Sequence, residues 1–306
     1  MAFLIPTPRS RAARARMSSP AALLPRAPAP APARRRASAR PPRRAPPAPA
    51  ASSSSSASRP PYLPTWSNPT GAALTPLVPG LVWAAERPFT WNGIDVGGKM
   101  GVVKLADGSV WVHSPVELDA ATRSAVDALG PVRHVVSPNY EHVKYAAAWK
   151  AAYPDATLYG CPGMIQKEPD IPWDEEVGRG GSDEGDGTLW LGEFRVAWFD
   201  CERTPVVGGA FFNEVVFAHA PSGCAFVTDC FWNYPGGADV PAGTRAWKWG
   251  MDEVYLPFYR NVMVTDEARF ETVKAEVLSW EWDAMVPCHG VLLARGGKDA
   301  LRAHLA

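Results

Sequence analysis

The first sixty residues contain no aspartate, glutamate or lysine, yet hold twelve arginines set among Ala, Pro and Ser runs such as Arg34-Arg35-Arg36 and the serines at 52–56. An acid-free segment rich in arginine and serine has the composition of an organelle-targeting peptide. It carries too little apolar surface to offset chain entropy and is expected to be disordered. Its many prolines obstruct an amphipathic helix, which favours a chloroplast (plastid) address over a mitochondrial one, with cleavage expected between Ser58 and Tyr62. A basic tail that contacts nucleic acid or membrane is the alternative reading of the same residues. The opening MAFLIPTP is too short for a secretory core, and no apolar run approaches eighteen residues, so no transmembrane segment is expected. The cysteines (Cys161, Cys201, Cys224, Cys230 and Cys288) are odd in number and show no CxxC spacing, which excludes a disulfide framework or a zinc ribbon and leaves them as small buried residues. The glycine-rich stretch at 178–187 lacks the GK[ST] ending of a phosphate loop and is itself acidic, so it reads as an exposed loop.

Removing the leading segment changes the electrostatics. The whole chain balances 31 basic against 31 acidic residues; without the twelve arginines the count is 19 against 31, a net of −12. A body that acidic offers no basic face for phosphates, and no nucleic-acid partner is expected. Its length suits one α/β domain with a sizeable core.

The division expected is a targeting segment at 1–60, an irregular lead-in at 61–87 that is rich in proline and glycine, and one domain at 88–306. MGVVKL, a turn at Asp107-Gly108 and SVWVHS read as a hairpin. A helix over 119–129 follows, with Asp119 as its N-cap and Gly130-Pro131 as its stop. VRHVVS at 132–137 is a buried strand; a helix of about ten residues follows His142 and ends before Tyr153-Pro154, and TLYG at 157–160 is a strand. TLWL, FRVAWF, NEVVFAHA and CAFVTD are four further strands, too closely spaced for helical crossovers, which argues against a doubly wound sheet. A helix from about Asp266 to Trp280, the strand AMVP, a tight Cys288-His289-Gly290 turn and a terminal helix from about Lys298 complete the pattern. Hairpins and helices in both halves predict an α/β fold: two sheets between outer helices, a four-layer αββα sandwich.

With TD closing one strand and PCHG following another, the pattern resembles the metallo-β-lactamase superfamily. More closely, MGVVKLADGSVWVHSPVEL, VRHVVSPNYEHVKYAAAWKAAYPDATLYGCPG, NEVVFAHAPSGCAFVTDCFWN and MVPCHG resemble the plastid and cyanobacterial domain-of-unknown-function family 4336. The wider resemblance implies a metallo-β-lactamase-type sandwich and metal-dependent hydrolysis. It also exposes a gap. The His-x-His-x-Asp-His cluster of metal-binding superfamily members is replaced here by Pro138-Asn139-Tyr140-Glu141-His142-Val143. Only His142 survives as a strong ligand candidate, with Asn139 and Glu141 as oxygen donors. The resemblance carries the remaining ligands to His219, Asp229 and His289.

A catalytic zinc needs three protein ligands and an open position. His142, Asp229 and His289, with His219 as a fourth, supply that for one Zn, Fe or Mn ion and not for two. Asp229 would then bind the metal or orient water, and His142 would bind it or shuttle a proton, in attack on an ester, thioester or phosphoester. Each residue has a plainer role: Asp229 bonding loop N–H groups, His289 tying two loops, His219 satisfied in the core, His142 capping a helix. On that reading the scaffold is metal-free and binds a ligand or partner. His113 and His134 sit in strands and read as structural, and His304 belongs to the tail. Strand alternation turns Cys230 and Cys288 toward the core and away from Asp229 and His289. The thirteen tryptophans are many, and the segment after Asp229 is crowded with Trp232, Trp247 and Trp249. These either line a pocket for an apolar or ring-bearing small molecule or pack an insertion down. Arg245, Lys248 and Arg260 either pair with a ligand anion or reach to solvent.

Overall fold

The computed structural model describes residues 60–179 and 189–306. The arginine-rich segment, apart from Pro60, and most of the glycine-rich acidic loop lie outside the described residues. The lead-in is less irregular than its proline content suggests: β1 (Thr75–Val78) and β2 (Val82–Arg87) pair antiparallel within it. Pro79 and Gly80 occupy the turn between them, where these residue types favour a chain reversal. A small ribbon of β3 (Thr90–Trp91) and β4 (Ile94–Asp95) follows. Next come β5 (Gly98–Lys104) and β6 (Val110–His113), joined through the Asp107-Gly108 turn as expected. β7 (Val132–Ser137), β8 (Thr157–Gly160) and β9 (Glu175–Glu176) add in parallel. The first sheet therefore runs β1-β2-β5-β6-β7-β8-β9. The second runs in the order β10 (Phe194–Phe199), β11 (Glu214–His219), β12 (Cys224–Val227) and β13 (Ala284–Pro287).

Helices cover both outer faces. α1 (Ala120–Asp127) is capped by Asp119, whose carboxylate accepts the Thr122 N–H at 2.7 Å. With α2 (Ala146–Ala152) it packs on the first sheet through Val126, Ala146 and Trp149, all fully buried. α3 (Met164–Lys167) is a single turn, and α4 (Ala242–Gly250) runs through a π-helical turn into α5 (Leu256–Phe258) and a second π turn. α6 (Glu267–Ser279), capped by Asp266, and α7 (Gly297–His304) cover the second sheet through Phe270, Val273, Val277 and Leu301. The four layers are the αββα sandwich that the hairpin-and-helix pattern predicts.

Between the sheets lies an aromatic core centred on Trp111, with the Phe194 ring 4.4 Å and the Phe226 ring 5.2 Å from its own. The sheets close tightly here because β5 carries Gly101. A Cβ at that position would lie 2.5 Å from Phe226 Cδ1, so any side chain would force the sheets apart. The one strand expectation that fails is TLWL. Leu189–Gly192 forms an irregular turn instead, with Trp190 at φ 44° and Leu191 at φ 66°. The Trp190 ring enters the inter-sheet core, 5.3 Å from Trp111 and 5.2 Å from Phe194. Packing of one large ring there overrides the local strand preference of its neighbours.

Candidate metal centre

Chain segments leaving four strands meet at one end of the sandwich. Ser114 follows β6, the Asn139–His142 loop follows β7, Asp229 follows β12 and His289 follows β13. The pairs β6/β7 and β12/β13 are parallel, so each pair delivers its loops to the same edge. His142, Asp229 and His289 offer one ligand atom each, all within 4.8 Å of one another. His142 Nε2 lies 3.2 Å from Asp229 Oδ2, and His289 Nε2 lies 3.5 Å from Asp229 Oδ1. The three side chains are only 14–15 % exposed.

The donor set suits one metal ion because the outer ring nitrogens are already engaged. His289 Nδ1 donates to the Gly97 carbonyl at 2.9 Å, and His142 Nδ1 meets Ser114 Oγ at 2.6 Å. Partners on Nδ1 orient the rings and leave Nε2 of both turned toward Asp229, the second-layer arrangement that prepares imidazole ligands. Ser114 achieves this with φ at 53°, a backbone conformation that L side chains adopt at a cost.

Electrostatics follow from burial among opposite charges. Burial would raise the Asp229 carboxyl, but His142 and then His289 hold it well below the usual carboxylate range. Burial would lower His142, and the Asp229 carboxylate instead raises it well above an ordinary imidazole. Beneath them lies Glu214, 1 % exposed. Its carboxylate accepts the backbone N–H groups of Thr228, Asp229 and Cys230 at 2.6–2.8 Å. Burial, and then Asp229, raise its pKa against the pull of those N–H groups. Glu214 fixes the backbone turn that presents Asp229.

His219 is not brought to this group. It is buried at the end of β11, with Nε2 2.9 Å from Glu193 Oε2 and Nδ1 2.8 Å from Ser222 Oγ. Both ring nitrogens are spent, so the residue expected as a fourth ligand ties the β10–β11 edge instead. Asn139 also differs from its expected part. Its Oδ1 accepts the Glu141 and His142 N–H groups at 3.0 Å, while Nδ2 donates to Asp229 and Thr228. It scaffolds the site and presents no free oxygen to an ion. Cys230 turns from the site to Glu214, Sγ to Oε1 3.3 Å. Cys288 is fully buried but lies past the end of β13 at Pro287, where its thiol meets the His142 ring. His113 is fully buried against Trp111, and burial holds it neutral. His134 meets the Tyr159 hydroxyl, and the His304 ring packs 4.3 Å from that of Trp232, so both are structural.

The group opens into a cavity of ≈ 360 Å³. Trp232 and Trp247 line it, as do Met251 and Tyr255 at four-residue spacing along the helical stretch from α4. Trp249 does not; it is 64 % exposed on the opposite side of that helix. Lys248 pairs with Asp252 and Arg245 bonds the Val240 carbonyl within the insertion, Arg260 pairs with Glu267 of α6, and none of the three lines the cavity. Sequence reasoning missed Ser114, Glu214 and Lys99. Only Lys99 left a visible signal, a charge at the head of the apolar run GKMGVVK.

A family model described as a domain of unknown function (DUF4336) matches residues 79–241. The chain belongs to that family. The match to DUF4336 spans His142, His219 and Asp229 and stops short of His289. No curated protein matches the chain in sequence. Among solved structures, the metallo-β-lactamase from Hirschia baltica is similar at 9 % identity and a TM-score of 0.50, with 76 % of this chain and 96 % of that one covered. The metal-soaked Flv1 flavodiiron core from Synechocystis sp. PCC6803 is similar at 12 % identity and a TM-score of 0.50, covering 76 % of this chain and 59 % of that one. At these identities the likeness is one of fold: this DUF4336 protein has the metallo-β-lactamase fold.

Proposed function

We propose that this protein is a hydrolase of an ester, thioester or phosphoester that works through a single metal ion, Zn, Fe or Mn, held by His142, Asp229 and His289. The observation that carries the reading is the convergence of two Nε2 atoms and one carboxylate within 4.8 Å at the floor of an apolar cavity. Three protein ligands with an open side are the pattern of a catalytic rather than a structural site. A metal in that position supplies Lewis acidity, polarising a carbonyl or phosphoryl oxygen and making water acidic enough to attack near neutral pH. The protein's own groups do the rest. Ser114 and Gly97 hold the two rings, Asn139 and Glu214 hold Asp229, and the aromatic walls exclude bulk water. Glu141 stands at the rim of the same cavity and is placed to carry a proton.

The first test is metal content by plasma mass spectrometry on the full chain purified without chelator, beside an Asp229→Ala, His289→Ala double variant. Near one equivalent in the wild type, lost in the variant, supports the reading and directs an esterase and phosphodiesterase screen. Sub-stoichiometric metal in both overturns it. A second reading is then favoured by the ion pairs that Asp229 makes to both histidines: a metal-free scaffold whose cavity binds a ligand. The arginine-rich first sixty residues support a plastid address. A fusion of that segment to a fluorescent protein should accumulate in chloroplasts, and cytosolic or nuclear signal would refute it.

A further inference from the structure

On the faces of β2 and β5 turned toward the second sheet, Val82 and Ala84 lie opposite Val103 and Gly101, an apolar row closing the inter-sheet core. The next cross-strand pair on that face, at the edge nearest the metal centre, is Glu86 and Lys99. The two are 5 % and 2 % exposed, and Lys99 Nζ lies 3.6 Å from Glu86 Oε2. That separation exceeds a charge-assisted hydrogen bond, about 2.7–2.9 Å, so Glu86 offsets the desolvation of the ammonium only in part. Burial lowers the Lys99 pKa against the pull of Glu86. Lys99 is among the residues that line the cavity, so a partner for its charge can come from there.

The rest of that cavity is largely carbon. Phe89, Trp91, Trp232, Tyr234, Trp247 and Tyr255 present rings to it, and flat aromatic walls suit a flat apolar guest. At the exposed rim, Lys144 sets its ammonium 5.3 Å from the Phe89 ring centre and 5.0 Å from that of Tyr145. Glu141, the acidic group at the rim, is exposed to solvent. Lys99 stands two residues after Gly97, whose carbonyl accepts from the His289 ring, and lines the same cavity as His142, Asp229 and His289, so the buried cation lies beside the metal centre.

We propose that the cavity binds an organic anion with a ring-bearing apolar body, the rings held between the aromatic walls and the negative group held by Lys99. This names the substrate class of the hydrolase reading and rests on that reading for turnover, but binding itself needs no metal. Because Lys99 lies beside the centre, the anionic group and the bond to be cleaved sit at the same end of the substrate.

The test compares two fluorescent probes that share one ring skeleton, 8-anilinonaphthalene-1-sulfonate and neutral N-phenyl-1-naphthylamine, titrated into the full chain. The sulfonate is expected to bind at least tenfold more tightly than the neutral amine. Equal affinities, or a preference for the amine, would overturn the proposal with no variant required. The Lys99→Met, Glu86→Gln double variant removes both charges without orphaning either. It should lose the tenfold preference while binding the neutral amine as before; an unchanged preference overturns the assignment to Lys99. Metal content of the same samples separates the two readings: a wild type that prefers the sulfonate but holds no metal sinks the hydrolase and leaves the anion site standing.

Discussion

Asn139 Nδ2 lies 2.6 Å from Asp229 Oδ2, and the same amide's Oδ1 accepts the backbone N–H of His142. One buried side chain thus fixes the carboxylate and the loop that carries the first histidine. Asn139→Ala should leave Asp229 short of a donor and free the 139–142 loop, at a cost of about 1–3 kcal/mol in stability. Loss of such a supporting contact is expected to weaken metal binding about 10- to 100-fold. Thermal melts and zinc titration against a competing chelator check both numbers.

His219 and His289 should behave as opposites. His289→Ala removes a proposed ligand and should abolish stoichiometric metal. His219→Ala should leave metal content unchanged but strand the buried Glu193 carboxylate, destabilising the protein by about 1–3 kcal/mol. Metal analysis and a urea melt on each variant read the difference; metal loss in His219→Ala would return that residue to the site.

Gly290 follows His289 with φ at 96°, and a Cβ there would overlap the Asn233 backbone. Around it, Asn233 N–H donates to the His289 carbonyl and Val291 N–H to the Asn233 carbonyl. Gly290→Ala must therefore move the His289 turn. The left-handed backbone alone costs about 1–2 kcal/mol, and the displaced ring should lower metal occupancy. A variant with wild-type melting temperature and metal content would contradict this.

Glu202 gives a pH signature away from the centre. It is 1 % exposed, and Oε1 accepts the Asn213 N–H at 2.8 Å. Burial raises its pKa from 4.5 to about 7. The folded state therefore holds a proton that the unfolded chain has lost over that window. The stability this confers is full below pH 4.5, falls as pH rises and is gone above about pH 7, a change of roughly 3 kcal/mol at most. Against Glu202→Gln, the wild type should lose stability between pH 5 and pH 8. Parallel melting curves for the two proteins would count against it.

Much of the scaffold was legible in the chain because it rests on local rules. Asp107-Gly108 makes the hairpin turn, Asp119 and Asp266 cap their helices, and the apolar runs at 132–137, 214–219 and 224–227 are strands. Where a residue's role depends on a distant partner, local reading failed. Trp190 left the expected strand to fill a hole beside Trp111, and β1 and β2 formed because a neighbouring strand was there to pair with.

The sequence by itself determined the two-sheet sandwich and the acidic body, since period, turn chemistry and composition are properties of short segments, and its resemblance to the superfamily pointed to His142, Asp229 and His289 as three of four candidate ligands. Only the tertiary structure decided that His219 is spent on Glu193, that Ser114 and Gly97 orient the two histidines, that Glu214 cradles the Asp229 turn, and that Lys99 is a buried charge beside the site. Those are contacts between residues from 13 to 192 positions apart. Such contacts depend on sheet register and loop path, and no short stretch of sequence encodes either.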